Sequence, residues 1–266
     1  MKHVLIVLHK EWLEHRRDRN ILFATLIPPL VLTMLPLAIG YAIGHAPPQL
    51  DAFANGRVPV AADSNPALAG MTLREVEQAL TCQQLSVLFF LMPLVIPSAI
   101  AAYAIVGEKT RRTLEPLLAT PVRTWELLLG KMLASLIPAI AVTWLAGGVF
   151  IAGMWRVSLS ARAFAAVVSP GWLLILLLCT PLMALITVAS MVVISSRVND
   201  PRTAQQVSAF VIIPFMAVFF GQLSGLLVLS PGLVLGAGVA LALVAALSVW
   251  LVTRLFQREA ILTRWR

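Results

Sequence analysis

The sequence predicts an all-α protein that crosses a membrane several times. Hydrophobic residues make up 59% of its 266 residues and charged residues only 12%, a composition far outside the range of a soluble domain. The apolar segments are continuous and approach the ~20 residues that a helix needs to span a bilayer, whereas barrel strands would alternate. We therefore expect a polytopic helical membrane domain, since only helices or closed barrels satisfy their backbone in lipid.

The apolar segments predict six crossings within one domain that covers residues 1–266. Residues 1–20 precede the first crossing and form a basic amphipathic pattern, with Leu5, Leu8 and Trp12 on one helical face and charged residues such as Glu11 elsewhere. Such a helix lies in the membrane interface. The predicted crossings are residues 21–44, 85–106, 127–153, 171–194, 207–229 and 232–256.

Two short patterns predict where helices begin. Thr72 is followed by Glu75 at the spacing of a capping box, so a helix is expected to start there and to lead into the second crossing. Asp200 precedes Pro201, the order expected of an N-cap residue and the first residue of a helix. The extracytoplasmic segment 45–84 is too short for a domain, and it fits a short lid or a passive connector equally well.

The positive charge predicts the orientation. With both termini, the loop Val106–Lys131 and the second inner loop placed on the inner side, that side holds 16 of the 20 Lys and Arg residues and 8 of the 12 acids, and thus the whole net charge of +8. Such one-sided positive charge marks the cytoplasmic face of a membrane protein. Both termini are therefore expected in the cytoplasm, and nucleic acid is not expected as a partner.

The segment 107–126 carries the longest charged run between two apolar segments. Leu114, Leu117 and Leu118 recur beside its charges at helical spacing. Pro116 and Pro121 divide it into a short helix and a bend. A plain basic loop would also satisfy the charge bias, but it would not need the leucines, so the pattern favours a protein-docking element.

The same segment resembles a known family. The residues that carry the resemblance are Glu108-Lys109, Thr113-Leu114-Glu115, Leu117-Leu118, Pro121 and Gly130-Lys131. They are similar to the loop after the second membrane helix in ABC type 2 permeases, NatB-like exporters included. In that family the loop is the coupling helix, which docks onto a separate ATPase subunit. Lys10-Glu11 near the N-terminus resembles the family's elbow, and Phe256 to Glu259 resembles its closing motif.

The resemblance implies a set of partners and contacts. It implies a dimer of permeases, identical or homologous, with two ATPase subunits that bind ATP and magnesium, in a bacterial or archaeal cytoplasmic membrane. A smaller coupling contact is implied at the second inner loop. The residues expected to contact the ATPase subunit are Glu108, Arg111, Thr113, Leu114, Glu115, Leu117, Leu118, Pro121, Arg123, Asp200 and Pro201.

The sequence carries no motif for chemistry of its own. It lacks a Walker-type phosphate loop, so no bound nucleotide or other cofactor is expected in this chain. All four histidines lie outside the predicted crossings, so a metal site is not expected. No acid lies within a predicted crossing, which disfavours a proton-coupled transporter. Cys82 and Cys179 fall in different segments and are expected to be packing residues. Together with the resemblance, these absences predict the membrane-spanning permease subunit of an ATP-driven exporter and not an enzyme.

Uncharged polar residues in the crossings are the candidates for a substrate path. Most are expected to form helix–helix hydrogen bonds, although a large amide such as Gln222 is costly to bury among apolar residues. The candidate path residues are Ser98, Tyr103, Gln205, Ser208, Gln222 and Ser224.

One alternative function for the chain is a membrane-embedded assembly or receptor component that moves no substrate. An ion channel would need a filter or a charged ring, and the sequence shows neither.

Overall fold

The structure, a computed structural model, describes residues 2–45, 68, 70–110, 124–198, 201–223 and 231–255. Within those ranges the chain is almost entirely helical and no residue is in a strand. The protein is an all-α polytopic membrane protein, as the composition predicts.

The helices follow one another along the chain with short connections. They are α1 Lys2–Arg17, α2 Arg19–His45, α3 Leu73–Ser86, α4 Met92–Thr110, α5 Thr124–Val157, α6 Ala161–Val167, α7 Pro170–Leu174, α8 Thr180–Arg197, α9 Pro201–Leu223 and α10 Pro231–Leu255. A 3₁₀ segment, Val87–Leu91, joins α3 to α4, and a π-helical segment, Ile175–Cys179, joins α7 to α8.

Five stretches of the described chain are long and apolar enough to cross a membrane. They are Ile21–His45, Leu73–Ala102, Glu126–Val157, Ala161–Ser195 and Gly232–Arg254. Helix α9 occupies the place of the remaining predicted crossing, 207–229, and is not among the five. The second stretch begins before the predicted boundary at residue 85, so Glu75 and Glu77 lie in its first turns. Glu126 likewise opens the third stretch.

The bundle has two ends, named here by the groups that mark them. Helix α1 and the start of α5 meet at the α1 end. Met132 near the start of α5 belongs to one buried cluster with Val192 near the end of α8 and Val252 near the end of α10, so those helices also end there. At the opposite, Gln78 end, the last turns of α2 and α5 meet the start of α3. Between the ends, Phe89, Phe150 and Trp172 form an aromatic core with ring centroids 5.0 to 5.7 Å apart.

Both predicted helix starts are present. Helix α3 follows a complete capping box, in which the Thr72 N–H donates to Glu75 Oε2 at 2.7 Å and the Glu75 N–H donates to Thr72 Oγ1 at 3.4 Å. Helix α9 begins at Pro201, and Asp200 lies outside the described residues. Cys82 and Cys179 are free and buried, which confirms their role in packing.

The π segment between α7 and α8 has a local cause. Its register leads the Thr180 N–H to the Ile175 carbonyl, five residues back. The next carbonyl, that of Leu176, would need the N–H of Pro181, which proline lacks. The indole Nε1–H of Trp144 on α5 donates to the Leu176 carbonyl instead, at 3.0 Å. Gly147, one turn further along α5, leaves room for the Leu176 side chain, which comes within 2.5 Å of where a Cβ would be.

Candidate functional site

A buried ion pair joins α1 to α5. The Lys131 ammonium donates to Glu11 Oε1 at 2.8 Å, and each side chain is only 3% exposed. The two residues are 120 positions apart in sequence. Removing two charges from water is costly unless they meet at close range, and this distance is that of a strong charge-assisted hydrogen bond. The pair therefore sets one specific position of α1 against α5.

Gly130, the residue before Lys131, allows α1 to approach α5 closely. A Cβ at Gly130 would lie 2.9 Å from Val7 Cβ and 3.3 Å from the Val4 carbonyl oxygen. Real Cβ atoms do not come within 3.0 Å of another carbon without a shift. Gly130 and Lys131 thus serve one contact, in which glycine provides the space and lysine the charge.

His15 lies one turn beyond Glu11 on the buried face of α1. It is 7% exposed, its Nε2 is 3.9 Å from Glu11 Oε2, and neither ring nitrogen has a hydrogen-bond partner among the described residues. Burial lowers the pKa of His15, and Lys131 lowers it further, whereas the charges of Glu14 and Asp18 act in the opposite direction. The neutral imidazole is therefore the favoured form in the folded protein.

The structure divides the surface of α1 differently from the sequence pattern. Leu5 and Trp12 are 64% and 56% exposed, so the apolar face points away from the bundle, as expected of a helix lying in the interface. Glu11 lies away from this face, as the pattern predicts, but it is buried in the bundle and only 2% exposed. No local signal marks Glu11 as buried, since its partner comes from a distant helix.

Most of the predicted ATPase contacts lie outside the described residues. These are Arg111, Thr113, Leu114, Glu115, Leu117, Leu118, Pro121, Arg123 and Asp200. Glu108 lies near the end of α4, and Pro201 opens α9. Helices α4 and α5, which flank the segment 111–123, have their adjoining ends at the α1 end of the bundle. The Glu11–Lys131 pair therefore lies on the same side as the predicted dock.

The candidate path residues have mixed placements. Ser98 is buried, and its hydroxyl donates to the Val95 carbonyl of its own helix at 2.8 Å. Thr143, Thr187 and Ser195 bond to their own helices in the same way, so these hydroxyls satisfy local carbonyls. Tyr103 lies in α4, Gln205, Ser208 and Gln222 lie in α9, and Ser224 lies outside the described residues. Helices α4 and α9 pack against each other.

Gln78 holds the opposite end of the bundle and was not recognised from the sequence. Its side chain is fully buried; its amide nitrogen donates to the Gly40 carbonyl at 2.8 Å and to the Val157 carbonyl at 3.1 Å. Its amide oxygen accepts from the Leu159 N–H at 2.9 Å. One side chain on α3 thus satisfies main-chain groups of α2, of the last residue of α5 and of the turn that follows. In the ranges that the structure describes, no group of three His, Cys, Asp or Glu side chains could hold a metal ion.

A comparison with protein families gives one match. The model described as ABC-2 family transporter protein matches residues 5–232, most of the chain. The matched region begins in α1, includes the Glu11–Lys131 pair, Gln78 and the segment 111–123, and ends at the start of α10. No curated protein matches the chain.

Proposed function

The chain belongs to the ABC-2 family of transporter proteins, and we propose that it is the permease of an ATP-driven exporter. As a member of that family it is an integral membrane component of an ABC transporter rather than an enzyme. The proposal adds the direction of transport, the dock for the ATPase and the composition of the complex. The observation that carries it is the family match across residues 5–232, since these residues include the first four membrane-spanning stretches and the charged segment between α4 and α5.

In this proposal the segment 107–126 is the dock for the ATPase subunit. Leu114, Leu117 and Leu118 fill an apolar groove on the partner, while Glu115 and Arg111 set the register at its rim. Buried apolar anchors dominate the binding energy of such contacts, and rim charges act mainly on association. The geometry of the α1 end supports this role, because α1 and the adjoining ends of α4 and α5 lie together on that side.

The complex contains two permeases and two ATPase subunits. ATP and magnesium bind to the ATPase subunits. This chain forms the substrate path and transmits the motion of the ATPase subunits to it. The exposed leucines and the exposed Phe23 of α2 suit contact with lipid or with the second permease. Both termini face the cytoplasm of a bacterium or archaeon. Residues on α4 and α9 line part of the route, with Tyr103, Gln205, Ser208 and Gln222 as candidates.

The decisive experiment replaces the two adjacent leucines of the dock. Leu117→Ala combined with Leu118→Ala is expected to lose at least 90% of the ATPase subunit that purifies with the permease, because truncating a central apolar anchor typically costs ~2 kcal/mol or more. The matched control is Leu243→Ala with Leu247→Ala, since these leucines of α10 are 69% and 62% exposed and lie outside the dock. The measurement is subunit stoichiometry after purification. Normal stoichiometry in the dock variant would show that this segment is not the dock.

Orientation is tested separately on intact cells. Single cysteines replace Arg123 in the dock segment or Asn55 in the predicted outer segment, and an impermeant maleimide is added. The expected result is labelling at position 55 alone, with position 123 labelled only after permeabilisation. Labelling at position 123 in intact cells would reverse the orientation.

A further inference from the structure

We infer that Glu11 and Lys131 are positioning residues for coupling, which make α1 and the first turns of α5 move as one unit. This inference rests on the proposed function, in which the segment 107–126 receives the motion of the ATPase. It adds a route for that motion, from α5 through the ion pair to α1 and from α1 to the first crossing.

The first step of the route is the start of α5. Helix α5 begins at Thr124, directly after the segment 111–123, and Lys131 lies about two turns further along it. Glu126 in the first of these turns is also buried. Because the helix is continuous from Thr124 to Lys131, a movement of the dock is expected to reach Lys131.

The second step is the contact between α5 and α1. Apart from the ion pair, this contact includes the close approach at Gly130, where Val4 and Val7 are the neighbours. Van der Waals contact of this kind resists separation but permits sliding, because apolar contacts have little directionality. A charge-assisted hydrogen bond between two buried groups has one favourable geometry. Buried ion pairs are best attested as elements that set register, which is the role that we assign to this one.

The third step is the junction between α1 and α2. Only Asp18 separates the two helices, and helix-type hydrogen bonds continue across it: the Asp18 N–H donates to the Glu14 carbonyl and the Leu22 N–H donates to the Asp18 carbonyl, both at 3.1 Å. Helix α1 therefore cannot shift without carrying the start of α2. The outward face of α1, with Leu5, Ile6 and Trp12, is exposed and offers no second protein contact among the described residues.

The test measures distances in the purified complex with its ATPase subunits. Nitroxide labels are placed at Ile6 and Leu129, which are 65% and 43% exposed, in a background with Cys82→Ala and Cys179→Ala. A second pair, Ile6 and Leu159, joins α1 to the opposite end of the bundle. Distances are recorded by pulsed electron spin resonance without nucleotide and with ATP and vanadate. We expect the 6–129 distance to stay constant and the 6–159 distance to change.

The variant Glu11→Gln then removes the charge and keeps the side-chain shape. It is expected to broaden the 6–129 distribution, to make the 6–129 distance depend on the nucleotide state, and to reduce the change in the 6–159 distance. ATPase stoichiometry should remain normal, because Glu11 lies outside the dock. Its matched control is Glu14→Gln, since Glu14 is on the same helix and half exposed. The exchange Glu11→Lys with Lys131→Glu should restore a narrow distribution, which a purely local packing role would not require.

The outcomes separate the two proposals. Loss of the ATPase subunit from the unmodified protein would overturn the proposed function. A complex that holds its ATPase but shows a nucleotide-dependent 6–129 distance would overturn only the positioning role. Constant distances in both label pairs would also overturn it, since α1 would then carry no motion. If Glu11→Gln fails to fold, the wild-type distances decide.

Discussion

At the Gln78 end of the bundle, one neutral amide exchanges hydrogen bonds with three main-chain groups, whereas at the α1 end two opposite charges meet side chain to side chain. Both arrangements are fully buried and both connect segments that are distant in sequence. The free energies of burial differ. An amide whose hydrogen bonds to water are replaced by hydrogen bonds in the protein is buried at little cost. Each buried ion costs several kcal/mol, which only the attraction between the two charges offsets.

The difference teaches which end of the bundle depends on charge and which does not. The partners of Gln78 are main-chain groups, which are present whatever side chains surround them. This contact, called here the Gln78 clamp, therefore depends on the identity of one residue only. The Glu11–Lys131 contact depends on two residues and on both remaining charged. The Gln78 end is therefore expected to respond only to loss of the amide. The α1 end should respond to charge and pH.

The largest expected effect comes from removing one member of the buried ion pair at the α1 end. Lys131→Met keeps most of the side-chain volume but leaves Glu11 buried without its 2.8 Å partner. Breaking a buried ion pair in this way costs about 3–5 kcal/mol. The expected result is a large decrease in the free energy of unfolding, measured by denaturant titration of the protein in detergent micelles.

Two controls distinguish a buried charge from charge in general. Lys10→Met removes the same residue type from the exposed Lys10–Glu14 pair, whose atoms are 3.5 Å apart, and should cost less than about 0.5 kcal/mol. Glu11→Met combined with Lys131→Met should recover most of the stability, because apolar replacement of both ions is often neutral. Equal losses in Lys131→Met and Lys10→Met would show that burial adds nothing to the cost of removing a charge at the α1 end.

The second prediction concerns the Gln78 clamp. Gln78→Leu removes the partner of the Val157 carbonyl, which the end of a helix leaves without an intrahelical donor, and that of the Leu159 N–H in the turn that follows. The expected loss is about 2 kcal/mol, since each unsatisfied buried group costs about 1–3 kcal/mol and the contacts to Val157 and Leu159 are only partly buried. Gln84→Leu, at an exposed position of the same helix, is the matched control. A loss as large as that of Lys131→Met would erase the contrast between the ends.

Local patterns predicted the parts of the molecule whose partners are near in sequence. The capping box at Thr72 and the start of α9 at Pro201 each follow from two neighbouring residues. Gln78 binds groups 38 to 81 positions away, and Lys131 binds Glu11 across 120 positions, so no local window contains both partners. The π segment needs Pro181 and Trp144 together, on different helices. The predicted dock between residues 111 and 123 remains a prediction.

The third prediction concerns the pH dependence of stability, which we expect at the α1 end and not at the Gln78 end. Burial lowers the pKa of His15, so below about pH 6.5 the unfolded chain binds a proton that the folded chain does not. Stability should therefore fall as the pH drops from 7 towards 5, by at most about 1.4 kcal/mol per pH unit from this one group. The charged groups near His15 are Glu11, Glu14, Asp18 and Lys131.

The measurement compares wild type with His15→Gln at each pH. The variant cannot take up the proton, so the difference between the two stability curves isolates the effect of His15 from that of the carboxylates. The difference should favour wild type more at pH 7 than at pH 5. Gln78→Leu should leave this difference unchanged, since no titratable group takes part in the Gln78 contacts. Parallel stability curves for wild type and His15→Gln would show that His15 does not make the stability of the α1 end depend on pH.

The smallest expected effect tests whether Gln78 alone fixes its end. Thr72 caps α3 from an exposed position, where its hydroxyl accepts from the Glu75 N–H at 3.4 Å. Thr72→Ala should cost about 1 kcal/mol, because water replaces part of the lost cap, and Thr72→Ser should be nearly neutral because it keeps the hydroxyl. Combined with Gln78→Leu, the two losses should add within about 0.5 kcal/mol, as they do for sites without a shared partner. Strong non-additivity in the double variant would mean that the Thr72 cap positions Gln78. The contact at this end would then depend on the first turns of α3 as a whole and not on a single amide.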